Sequence, residues 1–402
     1  MRCSGEGHIV FAARRACHSV LVLMLLTGFC CCSTDEQRSL IYRSDHTYTP
    51  VVKTLREVPA GRTPKNIILM IGDGMGLTQV SAAWVVNHGQ LNMDAFPYTG
   101  LSRTYCTDTL ITDSGAGGTA LATGYKTRKA HIGTDADGRD LTSLLGYAHS
   151  VGKRTGVSVV CRLCDATPAD FCCHTDNRDL YDDIIADYLE GTADYVAGGG
   201  MYFFTHRQDG RNIFRELGEK GYHLYCCSDS LFQAAELPVF AVLADSEYVA
   251  SPVRGDLFLR QTMHAIRLLQ SDEGFVMMVE GSCIDDYCHA NQLGTALEEV
   301  LDFDRTVGAV LQWAEEDGET LVVVTADHET GAMTLHGGSI ARGEVECVFG
   351  NQSHSGVVVP VYAYGPGAER FTGIMENAEI GRRLIEITAK NACTFETFRN
   401  ED

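Results

Sequence analysis

The stretch Asn66-Ile67-Ile68-Leu69-Met70-Ile71-Gly72-Asp73-Gly74-Met75-Gly76 decides the fold. Its apolar run does not alternate with polar residues, so it predicts a strand buried on both faces, closed by Gly72. Residues 77–87 then carry helical periodicity. The same alternation extends outward. Helix 141–151 precedes strand 156–160, and helix 181–190 precedes Tyr195-Val196-Ala197-Gly198-Gly199-Gly200. Helix 214–220 precedes strand 222–225, helix 258–270 precedes strand 274–279, and a long helix over 297–316 precedes strand 320–325. A last strand over 357–363 leads to a closing helix over 378–389. Apolar strands separated by helices predict an α/β chain, a three-layer αβα sandwich around a large, mostly parallel central sheet. No linker is visible after residue 64, so 65–402 reads as one domain.

The 402 residues are 45% hydrophobic, with 41 Gly and 9 Pro, which suits a large core with many tight strand-to-helix turns. The net charge of −21 has the wrong sign for nucleic-acid binding through the phosphate backbone. If such a chain handles an anionic substrate, local positive charge must come from elsewhere, and bound metal is the obvious source. Arg14 and Arg15 precede the apolar run 19–29, and Cys30-Cys31-Cys32-Ser33 follows it. The run is too short to span a bilayer, so 1–32 reads as an export signal. Cysteine directly after the apolar core resembles a bacterial lipoprotein processing site, although Phe29 is bulky for one. The expectation is a periplasmic or outer-membrane lipoprotein with a lipid anchor, plain secretion being the alternative, and residues 33–64 are expected to form a mobile tether.

Five of the sixteen cysteines belong to the signal, and the remaining eleven cannot all pair with one another. Cys161, Cys164, Cys172 and Cys173 are too closely spaced for a zinc ribbon or finger. They read as buried small apolar residues, with room for one or two disulfides.

In sheets of this kind functional side chains gather at the carboxyl ends of the strands. Asp73, Asp165, Glu280 and Asp327-His328 each follow or end such a run, Asp285 and His289 come in the next turns after Glu280, and His354 precedes the last strand. The glycines around Asp73 do not make a dinucleotide turn, because the third glycine of GxGxxG would fall at Leu77 and an acid there would repel pyrophosphate. Singly, an Asp after a strand is most often a cap and a His most often a satisfied polar residue. Together, Asp73, Glu280, Asp285 and Asp327 at one sheet edge would repel one another strongly in low dielectric. Divalent metal removes that cost, and the interspersed His289, His328 and His354 favour zinc over calcium. Thr112-Asp113-Ser114-Gly115-Ala116-Gly117-Gly118-Thr119-Ala120 places a hydroxyl where a helix begins. The bland reading is an N-cap. The small neighbours also let a bulky oxyanion approach the backbone N–H groups.

Over 65–389 the chain resembles the alkaline phosphatases. The matching motifs are 66–76, Thr112-Asp113-Ser114, Asp165-Ala166-Thr167-Pro168, Arg178, Glu280 through Asp285 with His289, Ala326-Asp327-His328 and His354-Ser355-Gly356, in order and with matching spacing. The resemblance implies hydrolysis of phosphate monoesters through a phosphoserine at Ser114. It implies a first zinc held by Asp285, His289 and His354, and a second held by Asp73, Asp327 and His328 with Ser114 as a further ligand. It implies one magnesium held by Asp73, Thr167 and Glu280, Asp165 orienting water on that magnesium, and Arg178 clamping two phosphate oxygens. Paired zincs about 4 Å apart would hold attacking and leaving oxygens in line. A homodimer is implied by the resemblance alone.

Asp286 stands where relatives often carry Lys, His or Trp, and an acid there should loosen phosphate, the alternative being that its side chain points to solvent. Cys283 and Cys288 flank the first zinc loop but are not expected to ligate, since the Asp/His/His set already leaves the open position catalysis needs. Gly198-Gly199-Gly200 reads as a structural turn. A sulfatase would need Pro and Arg after its nucleophile, and Ser114-Gly-Ala-Gly-Gly has neither. A diesterase tends to lack the clamp supplied by Arg178. A non-catalytic metal- or phosphate-binding protein would have no use for every catalytic position being filled.

Overall fold

The computed structural model describes residues 39–389. The export signal, the start of the expected tether and the last residues, Cys393 among them, lie outside the described residues. A ten-stranded sheet forms the middle layer. Its order is β15 (Gly373–Glu376), β3 (Tyr98–Arg103), β14 (Val359–Tyr364), β9 (Thr320–Thr325), β2 (Asn66–Gly72), β8 (Phe275–Gly281), β4 (Arg154–Arg162), β5 (Tyr195–Gly199), β7 (Val239–Val242) and β6 (His223–Tyr225). All neighbours pair parallel except β14, which runs antiparallel to both β3 and β9. The expected mostly parallel α/β sandwich is what forms.

The unbroken apolar run of β2 is explained by its place in the centre. Ile67, Leu69 and Ile71 point into one core, while Ile68 and Met70 point into the other. The helices Leu77–Val86, Leu257–Leu269 and Leu293–Asp317 cover the second face. The helices Ser114–Thr123, Leu144–Ser150, Ala166–Cys172 and Asn377–Ala389 cover the first.

The tether expectation is corrected for its described part. Leu40–Arg43 forms β1, paired antiparallel with β12 (Glu344–Phe349), which also pairs with β11 (Met333–Ser339). The Tyr48 hydroxyl donates to Asp304, Val52 is buried, and the Gly61 amide donates to Glu369 at 2.8 Å. Polar side chains fasten this segment, so no apolar periodicity announces it. All ten described cysteines are free thiols, eight of them buried, so the disulfide expectation gives way to the small-apolar one. Among the described residues no helix is long and apolar enough to cross a membrane.

Candidate active site

The carboxyl ends of β2, β8 and β4 open onto one recess of about 420 Å³, lined among others by Asp73, Ser114, Asp165, Thr167, Arg178, Glu280 and Asp285. Ser114 is the first residue of a helix in which all ten residues are buried. Asp113 caps it, accepting from the Ala116 amide at 3.1 Å. The glycines let that helix sink deep. A Cβ on Gly117 would stand 3.0 Å from the carbonyl oxygen of Asp327, and one on Gly118 would stand 2.1 Å from Asp170 Oδ2. Ser114 Oγ ends 3.3 Å from His328 Nε2 and 3.5 Å from Asp73 Oδ2.

Two ligand groups are assembled here, the second of them against the hydroxyl. In Asp285, His289 and His354, and again in Asp73, Asp327 and His328, one ligand atom per residue lies within 4.8 Å of the others. His289 Nε2 lies 3.2 Å from Asp285 Oδ2, and His354 Nε2 lies 3.6 Å from Asp285 Oδ1. In the second group His328 Nε2 is 3.1 Å from Asp327 Oδ2 and 3.5 Å from Asp73 Oδ1. Asp73 Oδ1, Asp327 Oδ2 and Thr167 Oγ1 are buried and accept or donate no hydrogen bond. Orphaned oxygens of this kind are costly without a partner, and a cation is the partner their chemistry fits. The third set, Asp73, Thr167 and Glu280, is wholly oxygen, as magnesium prefers.

The electrostatics agree with that donor set. Burial, then the charges of Asp327, Asp285 and Glu280, hold the Asp73 carboxyl well above the usual range. Burial likewise pushes Glu280 up to about 8 and Asp327 up to about 6. Burial drives His328 and His354 down to about 4, so both rings are neutral and offer lone pairs. His289 is raised to about 9, chiefly by its hydrogen bond to Asp285.

Arg178 reaches in from the neighbouring loop. Its amide donates to the Ala130 carbonyl at 2.8 Å, and Nη1 donates to Asp113 Oδ2 at 3.1 Å. The residue that caps the helix therefore also aims the guanidinium. Asp165 and Asp286 both line the recess. The Asp286 surface stays open to solvent, yet desolvation within the recess and the charges of Asp285, Asp165 and Glu247 push it up to about 7.

Of the residues expected from the sequence, Asp73, Ser114, Asp165, Thr167, Arg178, Glu280, Asp285 and Asp286 line the recess, and His289, His354, Asp327 and His328 stand in the two ligand groups with Asp285 and Asp73. Cys283 and Cys288 belong to neither ligand group, and Gly199 serves a close approach, since a Cβ there would stand 2.0 Å from the Ser246 carbonyl oxygen. The sequence reading missed Thr330, whose hydroxyl donates to Asp285 and lies 3.3 Å from His328 Nδ1. It also missed Arg162 and Glu247 on the wall of the recess. Arg162 ends a strand, so the rule that located the acids pointed to it too.

The comparisons with known proteins agree with this fold. The alkaline phosphatase family model matches residues 64–350. Alkaline phosphatase 4 of Bacillus subtilis is 30% identical, the match covering 80% of this chain and 88% of that protein. The Escherichia coli alkaline phosphatase is 28% identical over 81% of this chain and 86% of its own length. The structure of the alkaline phosphatase from the Antarctic bacterium TAB5 superposes with a TM-score of 0.77 at 35% identity, over 81% of this chain and 98% of that one. A mutant of that enzyme was solved with Mg bound in its M3 site. The chain belongs to the alkaline phosphatase family and is a phosphate monoester hydrolase.

Proposed function

We propose that the monoester is cleaved through a phosphoserine at Ser114, in a site holding two zinc ions and one magnesium. Asp285, His289 and His354 hold the first zinc, and Asp73, Asp327 and His328 the second. Asp73, Thr167 and Glu280 hold the magnesium. The observation that carries the reading is the position of Ser114 Oγ at the head of a buried helix, 3.3 Å from His328 Nε2 and 3.5 Å from Asp73 Oδ2, two members of one ligand group.

When bound, the divalent ions supply Lewis acidity at the entering and leaving oxygens and offset the charge of the clustered carboxylates. Arg178 presents a planar fork to two non-bridging phosphate oxygens, and Asp113 holds that fork in place. The N-terminus of the Ser114–Thr123 helix adds a favourable dipole for the anion. Ser114 Oγ attacks phosphorus, the ester P–O bond breaks and the alcohol departs. Water then cleaves the phosphoserine, returning Ser114 and releasing inorganic phosphate. Buried Asp73, its Oδ2 3.5 Å from Ser114 Oγ, faces the hydroxyl proton.

The test is turnover of p-nitrophenyl phosphate with metal analysis, for wild type and Ser114→Ala. EDTA-sensitive turnover that vanishes in the variant, with the zinc retained, supports the reading. Equal or faster turnover of the bis-ester would sink it in favour of a diesterase.

The chain is further read as exported by the signal in 1–32, to the periplasm or outer membrane as a lipoprotein, with plain secretion as the alternative; the Arg14-Arg15, apolar and Cys30-Cys31-Cys32 succession supports this. It is also read as a homodimer. Exposed Leu77 and Ile374 border a groove with Leu101, Pro360 and Tyr362, an apolar face that supports such pairing. Sedimentation of the purified protein tests the dimer, and mass spectrometry of its N-terminus tests the lipid.

A further inference from the structure

Asp165 stands just before the Ala166–Cys172 helix, yet its side chain caps none of that helix's N–H groups. The carboxylate turns back instead onto Arg162, the last residue of β4. Three donors meet it there. The Arg162 amide donates to Oδ2 at 3.0 Å, Nε donates to Oδ2 at 3.2 Å, and Nη2 donates to Oδ1 at 2.6 Å. A planar guanidinium matches a carboxylate in this two-point manner, and a lysine would not. Aromatic rings hold the guanidinium in turn, with Cζ 5.4 Å from the Phe203 ring centroid and 5.7 Å from that of Tyr181.

The surroundings make this pairing consequential. Arg162 and Asp165 line the same recess as Thr167 and Glu280. The other charged residues on that wall, Glu247 and Asp286, are acids that would push an unanchored Asp165 away. Arg178, the other cation lining the recess, is committed to Asp113 on the nucleophile side. Magnesium releases its waters reluctantly, so a fixed carboxylate just outside its seat gains by accepting from that hydration shell.

We propose that Arg162 is a positioning residue that locks the Asp165 carboxylate beside the Asp73, Thr167 and Glu280 seat and thereby sets the affinity of that seat for magnesium. The inference rests on the magnesium assignment above.

The test is calorimetric titration of magnesium into the zinc-loaded full-length enzyme, as a cycle of wild type, Arg162→Gln, Asp165→Asn and the double variant. Removing a partner that orients a metal site typically costs 10- to 100-fold in affinity. The expected result is therefore a rise of roughly that size in the magnesium dissociation constant for Arg162→Gln, and no further rise when it is added to Asp165→Asn. A constant within about twofold of wild type, or equal losses in both backgrounds, overturns the role of Arg162. A merely structural role would lower Tm and weaken binding in both backgrounds alike. If Arg162→Gln does not fold, Arg162→Lys decides on the same terms, because it keeps the charge and loses the fork. A wild type that binds no magnesium overturns the seat, and this inference with it, whereas wild-type binding that Arg162→Gln leaves intact overturns Arg162 alone.

Discussion

His289 Nε2 and His354 Nε2 face each other at 3.0 Å. The opposite nitrogen of each ring is held by a backbone carbonyl, Nδ1 of His289 by Gln352 and Nδ1 of His354 by Thr112, both at 2.8 Å. Those carbonyls fix Nδ1–H as the donor in each ring, which turns a bare Nε2 inward when the ring is neutral. Two lone pairs at that distance repel unless a proton or a cation sits between them. His354→Ala should therefore lose about one zinc equivalent of the two expected in metal analysis, and orienting contacts of this kind carry 10- to 100-fold in affinity. Full zinc content in the variant would contradict the first ligand set.

Arg178→Ala separates binding from metal chemistry. The side chain belongs to neither ligand group, so the zinc content should not change. Hydrogen bonds to charged groups are worth about 1.5–3 kcal/mol each, so the loss of each bond to phosphate should lower kcat/KM roughly 10- to 150-fold. The inhibition constant for inorganic phosphate should rise in parallel. A variant with wild-type kcat/KM would remove Arg178 from the account.

The metal-free protein should lose stability as pH rises from about 6.5 to 9. Glu280 is raised to about 8, above its ordinary value, and His289 is raised to about 9. A raised pKa means that the folded state holds its proton more tightly than the unfolded state does. The contribution is complete below the unfolded value and fades as pH climbs through the folded one. His328 and His354 shift the other way, but their window lies between about 4 and the ordinary 6.5, so it does not mask the effect. Tm after chelation should drop by several degrees over that range. Bound metal needs these same groups deprotonated, so the loaded enzyme should show no such drop, and zinc affinity should rise with pH through the window. A flat profile for the metal-free protein would refute the electrostatic picture.

Asp286→Lys should lower the inhibition constant for inorganic phosphate. Asp286 lines the recess beside Asp165 and Glu247, so the native wall presents acids to an anionic product. Exchanging one of them for a cation is worth on the order of 1 kcal/mol at a solvent-open position, about fivefold in the constant. An unchanged or higher constant would show that Asp286 does not face phosphate.

The central strands and the site acids were legible because both obey simple rules. Thr320–Thr325 is a strand at the bounds its apolar run gives, since a strand buried on both faces has nothing to alternate with. Asp73, Glu280 and Asp327 were found because they sit where parallel strands end. Other pieces carried no such signal. Tyr98–Arg103 is half exposed and mixes Tyr, Thr, Gly and Ser, so neither period stands out, though it becomes an inner strand of the sheet. Val359–Tyr364 runs antiparallel between β9 and β3, and β3 was not foreseen. Residues 39–64 are fastened by long-range polar contacts such as Tyr48 to Asp304, which leave no local pattern. Arg162 was within reach of the strand-end rule, but its meaning depends on Asp165 turning away from its own helix, which leaves no mark in the sequence.

Gly118 and Asp170 should be energetically coupled. Asp170 is fully buried, its Oδ1 accepts from Thr119 Oγ1 at 2.7 Å, and its Oδ2 has no partner. That free oxygen lies against Gly118, where a Cβ would stand 2.1 Å away. Gly118→Ala must therefore move either Asp170 or the helix that carries Ser114. Overpacking of this kind costs about 1–3 kcal/mol, against which alanine's helix preference returns only about 0.5–1 kcal/mol. In an Asp170→Ala background the clash is gone, and Gly118→Ala should be neutral or mildly stabilising. Unfolding midpoints of the four proteins, with metals loaded, give the coupling directly. A loss of the same size in both backgrounds would place the strain elsewhere. If stability recovers in the double variant while kcat does not, then Asp170 also sets where the helix presents Ser114 to the recess.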